Sequence, residues 1–156
     1  MDSMFQTEEA KYAWLAGIVD SEGSITFQSK WIPRLGIYSS TPKFLEKIKL
    51  ELGWDDVKIY KNRVKGGYGV HIEYMLIVKG KRLRMLLPKI QPFLIVKQEQ
   101  AKIAVELSNL TCRENWRGNW KNGSSAYREK CMELSQGIRY LNRRGQSLEV
   151  KVGEKP

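Results

Sequence analysis

Hydrophobic and polar positions along the chain change period several times, and each change predicts an element. Thr7 precedes Glu8 and Glu9, a capping residue followed by two acids suited to the positive end of a helix dipole. The apolar-rich run Tyr12 to Val19 continues that helix, which is expected to end between Asp20 and Gly23. Ala13, Ala16 and Gly17 fall at i, i+3 and i+4, which predicts one helix face nearly bare of side chains and open to close approach by another backbone.

From Ser24 the period drops to two. Thr26, Gln28 and Lys30 alternate with Ile25, Phe27 and Ser29 in a strand over Ser24–Trp31. A turn at Pro33 is expected to lead into a second strand, Leu35–Ser39, in which Arg34, Gly36 and Tyr38 alternate with Leu35 and Ile37. Lys43–Leu52 returns to helical spacing through Phe44, Leu45, Ile48 and Leu52, and Gly53 stops it. A second strand pair, Val57–Val64 and Val70–Val78, is joined by Lys65-Gly66-Gly67-Tyr68; Lys58, Tyr60 and Asn62 share one face of the first, and His71 and Glu73 one face of the second. Helices are predicted over Lys81–Leu87, ending before Pro88, over Phe93–Leu107, and over Ala126–Leu141. Asn115–Ser125, rich in Gly, Asn and Trp, reads as a loop, and Arg143–Pro156 as a polar tail. The order αββαββα predicts an α+β fold: an antiparallel sheet with helices on one face.

The length, 156 residues, suits one domain. No apolar run approaches the roughly 18 residues that span a bilayer, and the start lacks a basic segment followed by an apolar one, so the chain is expected to be soluble, intracellular and not secreted. Cys112 and Cys131 lack metal-ligand spacing and read as reduced structural thiols. The 27 Lys and Arg against 17 Asp and Glu leave a formal charge of +10, which points to a polyanionic partner. Nucleic acid is favoured over an anionic membrane, because the cations lie in strands and short turns and form no dominant basic amphipathic helix. Strands whose one face carries Lys, Arg, Gln, Asn, Tyr and His suit the major groove, although a half-covered sheet with a solvated face has a similar pattern.

The segment Leu15-Ala16-Gly17-Ile18-Val19-Asp20-Ser21-Glu22-Gly23 resembles the LAGLIDADG motif, with identity at Leu15, Ala16, Gly17, Asp20 and Gly23, aliphatic exchanges at Ile18 and Val19, and Glu22 at the final acid. A second segment, Gln91-Pro92-Phe93-Leu94-Ile95-Val96-Lys97-Gln98-Glu99-Gln100, resembles the QPFL-x-x-K-Q-x-Q signature of the compact single-motif members of that homing endonuclease family. The resemblance extends from about Glu8 to about Gly145. It implies a homodimeric enzyme that packs two copies of the motif helix through Ala13, Ala16 and Gly17. It also implies cleavage of both strands of a long pseudo-palindromic DNA target, probing double-stranded DNA with the sheet, and an origin within an intron. Paired carboxylates at the helix ends suit a hard cation that retains water, which implies Mg²⁺, with Mn²⁺ able to substitute, held by Glu22, Ser21 and Asp20. Glu22 is the principal ligand in this reading. Lys97 implies a cation at the cleaved phosphate, and Ser39 and Lys43 take the places of polar groups that organise metal-bound water, with Ser39 departing from the usual Gln.

Base readers are expected among Thr26, Gln28, Lys30, Arg34, Tyr38, Lys58, Tyr60, Asn62, His71 and Glu73, and phosphate contacts at Arg63, Lys65, Lys121, Arg143 and Arg144. Trp116 and Trp120 are left open between packing inside and lying against DNA. Two rival readings remain at this level: a maturase or DNA-binding protein of the same fold without cleavage, and an RNA-binding structural protein.

Overall fold

The computed structural model describes residues 4–28, 31–67, 69–112 and 125–144. Thr7 caps α1 (Glu8–Glu22), its hydroxyl accepting the Ala10 N–H at 3.1 Å. The chain then enters β1 (Gly23–Gln28) with no intervening loop. Only glycine fits that junction: a Cβ on residue 23 would lie 2.6 Å from the Val19 carbonyl oxygen and 2.8 Å from its Cα. β2 (Ile32–Ser39), α2 (Pro42–Leu52), β3 (Ile59–Gly66) and β4 (Gly69–Lys79) follow, then α3 (Gly80–Ile90), a 3-10 turn (Gln91–Phe93), α4 (Gln98–Leu110) and α5 (Ser125–Arg144). The sheet is antiparallel with strand order β1-β2-β4-β3.

Among the boundaries that move, three do so for a clear physical reason. Pro33 is a strand residue paired with Phe27, and the chain reverses before it, with Trp31 at φ 58°. A proline is accommodated there because β4 pairs with β2 only from Arg34 onward, which leaves position 33 at a ladder end. The helix expected to stop before Pro88 runs on to Ile90, since Leu86, Leu87 and Ile90 all enter the core and the proline falls in the last turn. The helix expected from Phe93 begins only at Gln98. Residues 94–97 are held out of helix by the Asp20 carboxylate, which takes two of their backbone N–H groups. The predicted loop Asn115–Ser125 lies, up to residue 124, outside the described residues.

Alternation puts Ile25, Leu35, Ile37, Leu76 and Val78 on the helix-facing side, all at most 1% exposed. They join Leu15, Val19, Leu45, Ile48, Leu83, Leu87, Ala104 and Leu107 in one core beneath the helices. α5 closes the β1 edge: Asn142 Nδ2 donates to the Ile25 carbonyl at 2.9 Å, and the Arg139 guanidinium lies 4.9 Å from the Phe27 ring centre. Cys131 is buried and Cys112 half-buried, both free thiols. No helix among the described residues is long and apolar enough to cross a membrane.

Candidate active site and nucleic-acid interface

The last turn of α1 carries two carboxylates with different tasks. Asp20 Oδ2 accepts the Ile95 N–H at 2.7 Å, and Oδ1 accepts the Lys97 N–H at 2.9 Å. Lys97 Nζ in turn donates to the Asp20 backbone carbonyl. Asp20 thus ties the segment before α4 to the end of α1, and both of its oxygens already hold donors. Glu22 is exposed and has no hydrogen bond or ion pair among the described residues, leaving its carboxylate available. Ser21 is less available, because its hydroxyl donates back to the Gly17 and Ile18 carbonyls at 3.0 and 3.2 Å.

Lys97 is half-buried, and burial pushes its ammonium below the ordinary lysine value; the charges of Asp20 and Glu22 act in the opposite direction. The fold therefore brings Lys97 to Glu22 and Asp20, which lie 75 or more residues before it in sequence. Ser39 ends β2, which the Gly23–Ile37 pairing sets alongside the end of α1. Its Oγ accepts the Thr41 N–H at 3.0 Å and starts the turn into α2, where Lys43 is exposed in the first turn. Among the described residues no three His, Cys, Asp or Glu side chains cluster as a metal site. A single chain thus offers a divalent cation one free carboxylate, a set that Mg²⁺ accepts when water and phosphate oxygens supply the other ligands.

The open face of the sheet follows from register. Thr26, Arg34 and Lys79 form one cross-strand row, Tyr38, Met75 and Tyr60 another, and Glu73 pairs with Asn62. Gln28 and His71 share this face. Every expected reader within the described strands therefore points the same way, while Lys58 is exposed just before β3. Lys30 lies outside the described residues, as do Lys121, Trp116 and Trp120, and nothing is described of the Arg144 side chain. Arg63 is on the opposite face, paired with Ile72, together with Lys65, where the hairpin extends beyond the core and both are exposed. Arg34 Nε donates to Thr26 Oγ1 at 3.1 Å. The Tyr38 ring lies over Gly36, where a Cβ would meet its hydroxyl at 2.8 Å. Sequence reasoning missed Lys79, although it continues the alternation His71, Glu73, Met75, Ile77.

On α1 the exposed small residues are Ala10, Ala13 and Gly17, and a Cβ on Gly17 would meet nothing within 4 Å. Ala16 departs from the expectation: it is 0% exposed, turned into the chain's own core, so it cannot contribute to an outer face. The sequence also gave no signal for Ile95 and Val96, 89% and 68% exposed beside the end of that helix.

No family model matches the chain, and no curated protein matches it. Solved structures do. The homing endonuclease I-CvuI in complex with the I-CreI target (C1221) in the presence of 2 mM Mg, with the DNA not cleaved, aligns at a TM-score of 0.62 with 22% identity, covering 96% of this chain and 87% of that one. The same endonuclease in complex with its own target (Sro1.3) in the presence of 2 mM Ca aligns at 0.58 with 22% identity, over 95% and 86%. With a four-stranded antiparallel sheet, helices on one face and this overlap, the chain has the homing-endonuclease fold.

Proposed function

We propose that the protein is a LAGLIDADG-type homing endonuclease of the compact single-motif kind, acting inside the cell as an intron-encoded homodimer on a long pseudo-palindromic duplex. The observation that carries this reading is the free Glu22 carboxylate at the end of α1, held beside Lys97 at the border of an open polar sheet. The similar solved structures are complexes with DNA targets, which supports placing duplex DNA on that sheet.

One copy of the motif serves one strand, so cutting both strands calls for two chains. Support for a dimer comes from α1, where the small exposed stripe Ala10, Ala13 and Gly17 leaves room for a second backbone, and Ile95 and Val96 offer apolar area beside it. Glu22, together with its counterpart in the second copy, would hold Mg²⁺. A bound divalent cation supplies Lewis-acid stabilisation of the scissile phosphate and an activated water. Asp20 positions: by fixing the N–H groups of Ile95 and Lys97 it sets where the Lys97 ammonium stands. Lys97 then places positive charge where the phosphate gains negative charge. Ser39 and Lys43 border the same end of the sheet and would order solvent there.

The test uses duplex DNA carrying the intronless insertion site of the parent gene, incubated with Mg²⁺ or with EDTA. Cutting is expected only with Mg²⁺, and binding in both. Glu22→Gln should lower cutting by about a thousandfold while leaving duplex affinity within a few-fold. Wild-type cutting by that variant would remove Glu22 from the site. Binding without cutting by the wild type would move the protein to the non-cleaving reading.

A further inference from the structure

The first turn of a helix presents unpaired backbone N–H groups and the positive end of the dipole, and is ordinarily matched with a capping oxygen or acidic side chains. α3 has neither. Its N-cap is Lys79, with no side-chain cap and no acid in the first turn, and Lys81 and Arg84 follow. Arg82 is neutralised by Asp56 at 2.6 Å, but Lys79, Lys81 and Arg84 have no hydrogen bond or ion pair among the described residues. Beside this turn opens a cleft of about 300 Å³, whose walls include Ile32, Gly80, Lys81, Arg84, Ser108 and Thr111, with no carboxylate in its lining among the described residues.

A second, independent observation lies across the cleft on α4. Ser108 is only 4% exposed, yet its hydroxyl has no hydrogen-bond partner among the described residues, whereas Thr111 Oγ1 beside it donates to the Leu107 carbonyl at 2.8 Å. No fully buried side-chain oxygen lacks a partner among the described residues, so the Ser108 hydroxyl is open to the cleft it lines. A near-buried donor, two cations and a helix N-terminus thus converge on one space. An oxyanion would satisfy all of them at once.

We propose that this cleft binds a phosphate group, and that the phosphate it takes is a backbone phosphate of duplex DNA lying along the open sheet. The second part rests on the function proposed above. It follows from position: Ile32, which lines the cleft, belongs to the open face, and Gly80, also in its lining, directly follows Lys79 of the Thr26–Arg34 row, so the cleft lies at the margin of the open face. The site anchors the duplex at the margin of the sheet, away from Glu22 and Lys97, and contributes affinity and register without reading bases.

Two arms test this with the full-length protein. In the first, without DNA, inorganic phosphate is titrated at constant ionic strength while the backbone amide resonances of Gly80 and Lys81 are followed. A saturable shift is expected, weakened about fivefold or more by Lys81→Gln and by Ser108→Ala. Absence of a saturable shift in the wild type overturns the site, whatever the protein does with DNA. In the second, duplex affinity is measured across a salt series, and Arg84→Gln is expected to lower the slope of log K against log salt by about one phosphate's worth. Phosphate binding with an unchanged slope overturns the DNA source and leaves a site for free phosphate. A wild type that binds no duplex overturns the proposed function and the DNA source together, with the first arm still deciding the site.

Discussion

The two hairpins of the sheet carry similar polar side chains but hold them differently. In β1–β2, Arg34 is bonded to Thr26, the Tyr38 ring is laid over Gly36, and the edge is pinned by Asn142 and Arg139 from α5. In β3–β4 the outer half projects beyond the core: Asn62, Arg63, Lys65 and His71 are exposed and make no side-chain hydrogen bond or ion pair among the described residues. The first hairpin offers a ligand side chains that are already oriented. The second must order its side chains on contact, at a cost of about 0.5–1.5 kcal/mol for each long one immobilised. The difference separates a pre-set polar surface near the candidate active site from an adaptable one at its periphery.

The largest effect expected from this contrast is on stability. Gly23→Ala drives a Cβ into the Val19 backbone, which cannot swing aside as a side chain would, and should cost about 3 kcal/mol. Gly69→Ala, at the start of β4, meets open space and has only its φ of 111° to contend with, for about 1 kcal/mol. Chemical denaturation of both variants ranks them, and equal losses would erase the distinction between junction and tip. A smaller effect is expected at the edge: Asn142→Ala removes the bond to the Ile25 carbonyl and should cost about 1 kcal/mol, with faster amide exchange along β1. Asn62→Ala should stay within about 0.5 kcal/mol. Exchange in β1 unchanged by Asn142→Ala would mean that α5 does not brace that edge.

The elements were legible where local chemistry and tertiary packing agree. Thr7, Gly53 and the strict alternation of β1 and β4 state their roles in the sequence, and the open face was readable because one-residue alternation fixes every side chain once a single core position is known. What could not be read depended on distant partners. Nothing near Phe93 says that residues 94–97 stay out of helix; the cause is Asp20, about 75 residues earlier in the chain, whose carboxylate braces that segment. Ala16 illustrates a subtler failure. Spacing groups Ala13, Ala16 and Gly17 together, but a stripe of small residues has no intrinsic direction, and the core took Ala16 while leaving the other two outside.

The smallest and most specific effect concerns the Arg34–Thr26 pair. Thr26→Val keeps the β-branched shape and the strand but removes the acceptor that holds Arg34 Nε at 3.1 Å. The guanidinium keeps its charge and must then be ordered when DNA binds, so duplex affinity should fall about threefold while the salt slope stays constant. Arg34→Ala, by contrast, removes the contact itself and should cost about 1–3 kcal/mol and relax discrimination at one base pair. His71→Ala on the outer hairpin has no such pre-set partner, so its loss should equal its own contact and nothing more. Binding isotherms on one duplex at several salt concentrations separate these cases. An unchanged affinity for Thr26→Val would show that Arg34 gains nothing from its neighbour, and the two hairpins would then differ in exposure alone.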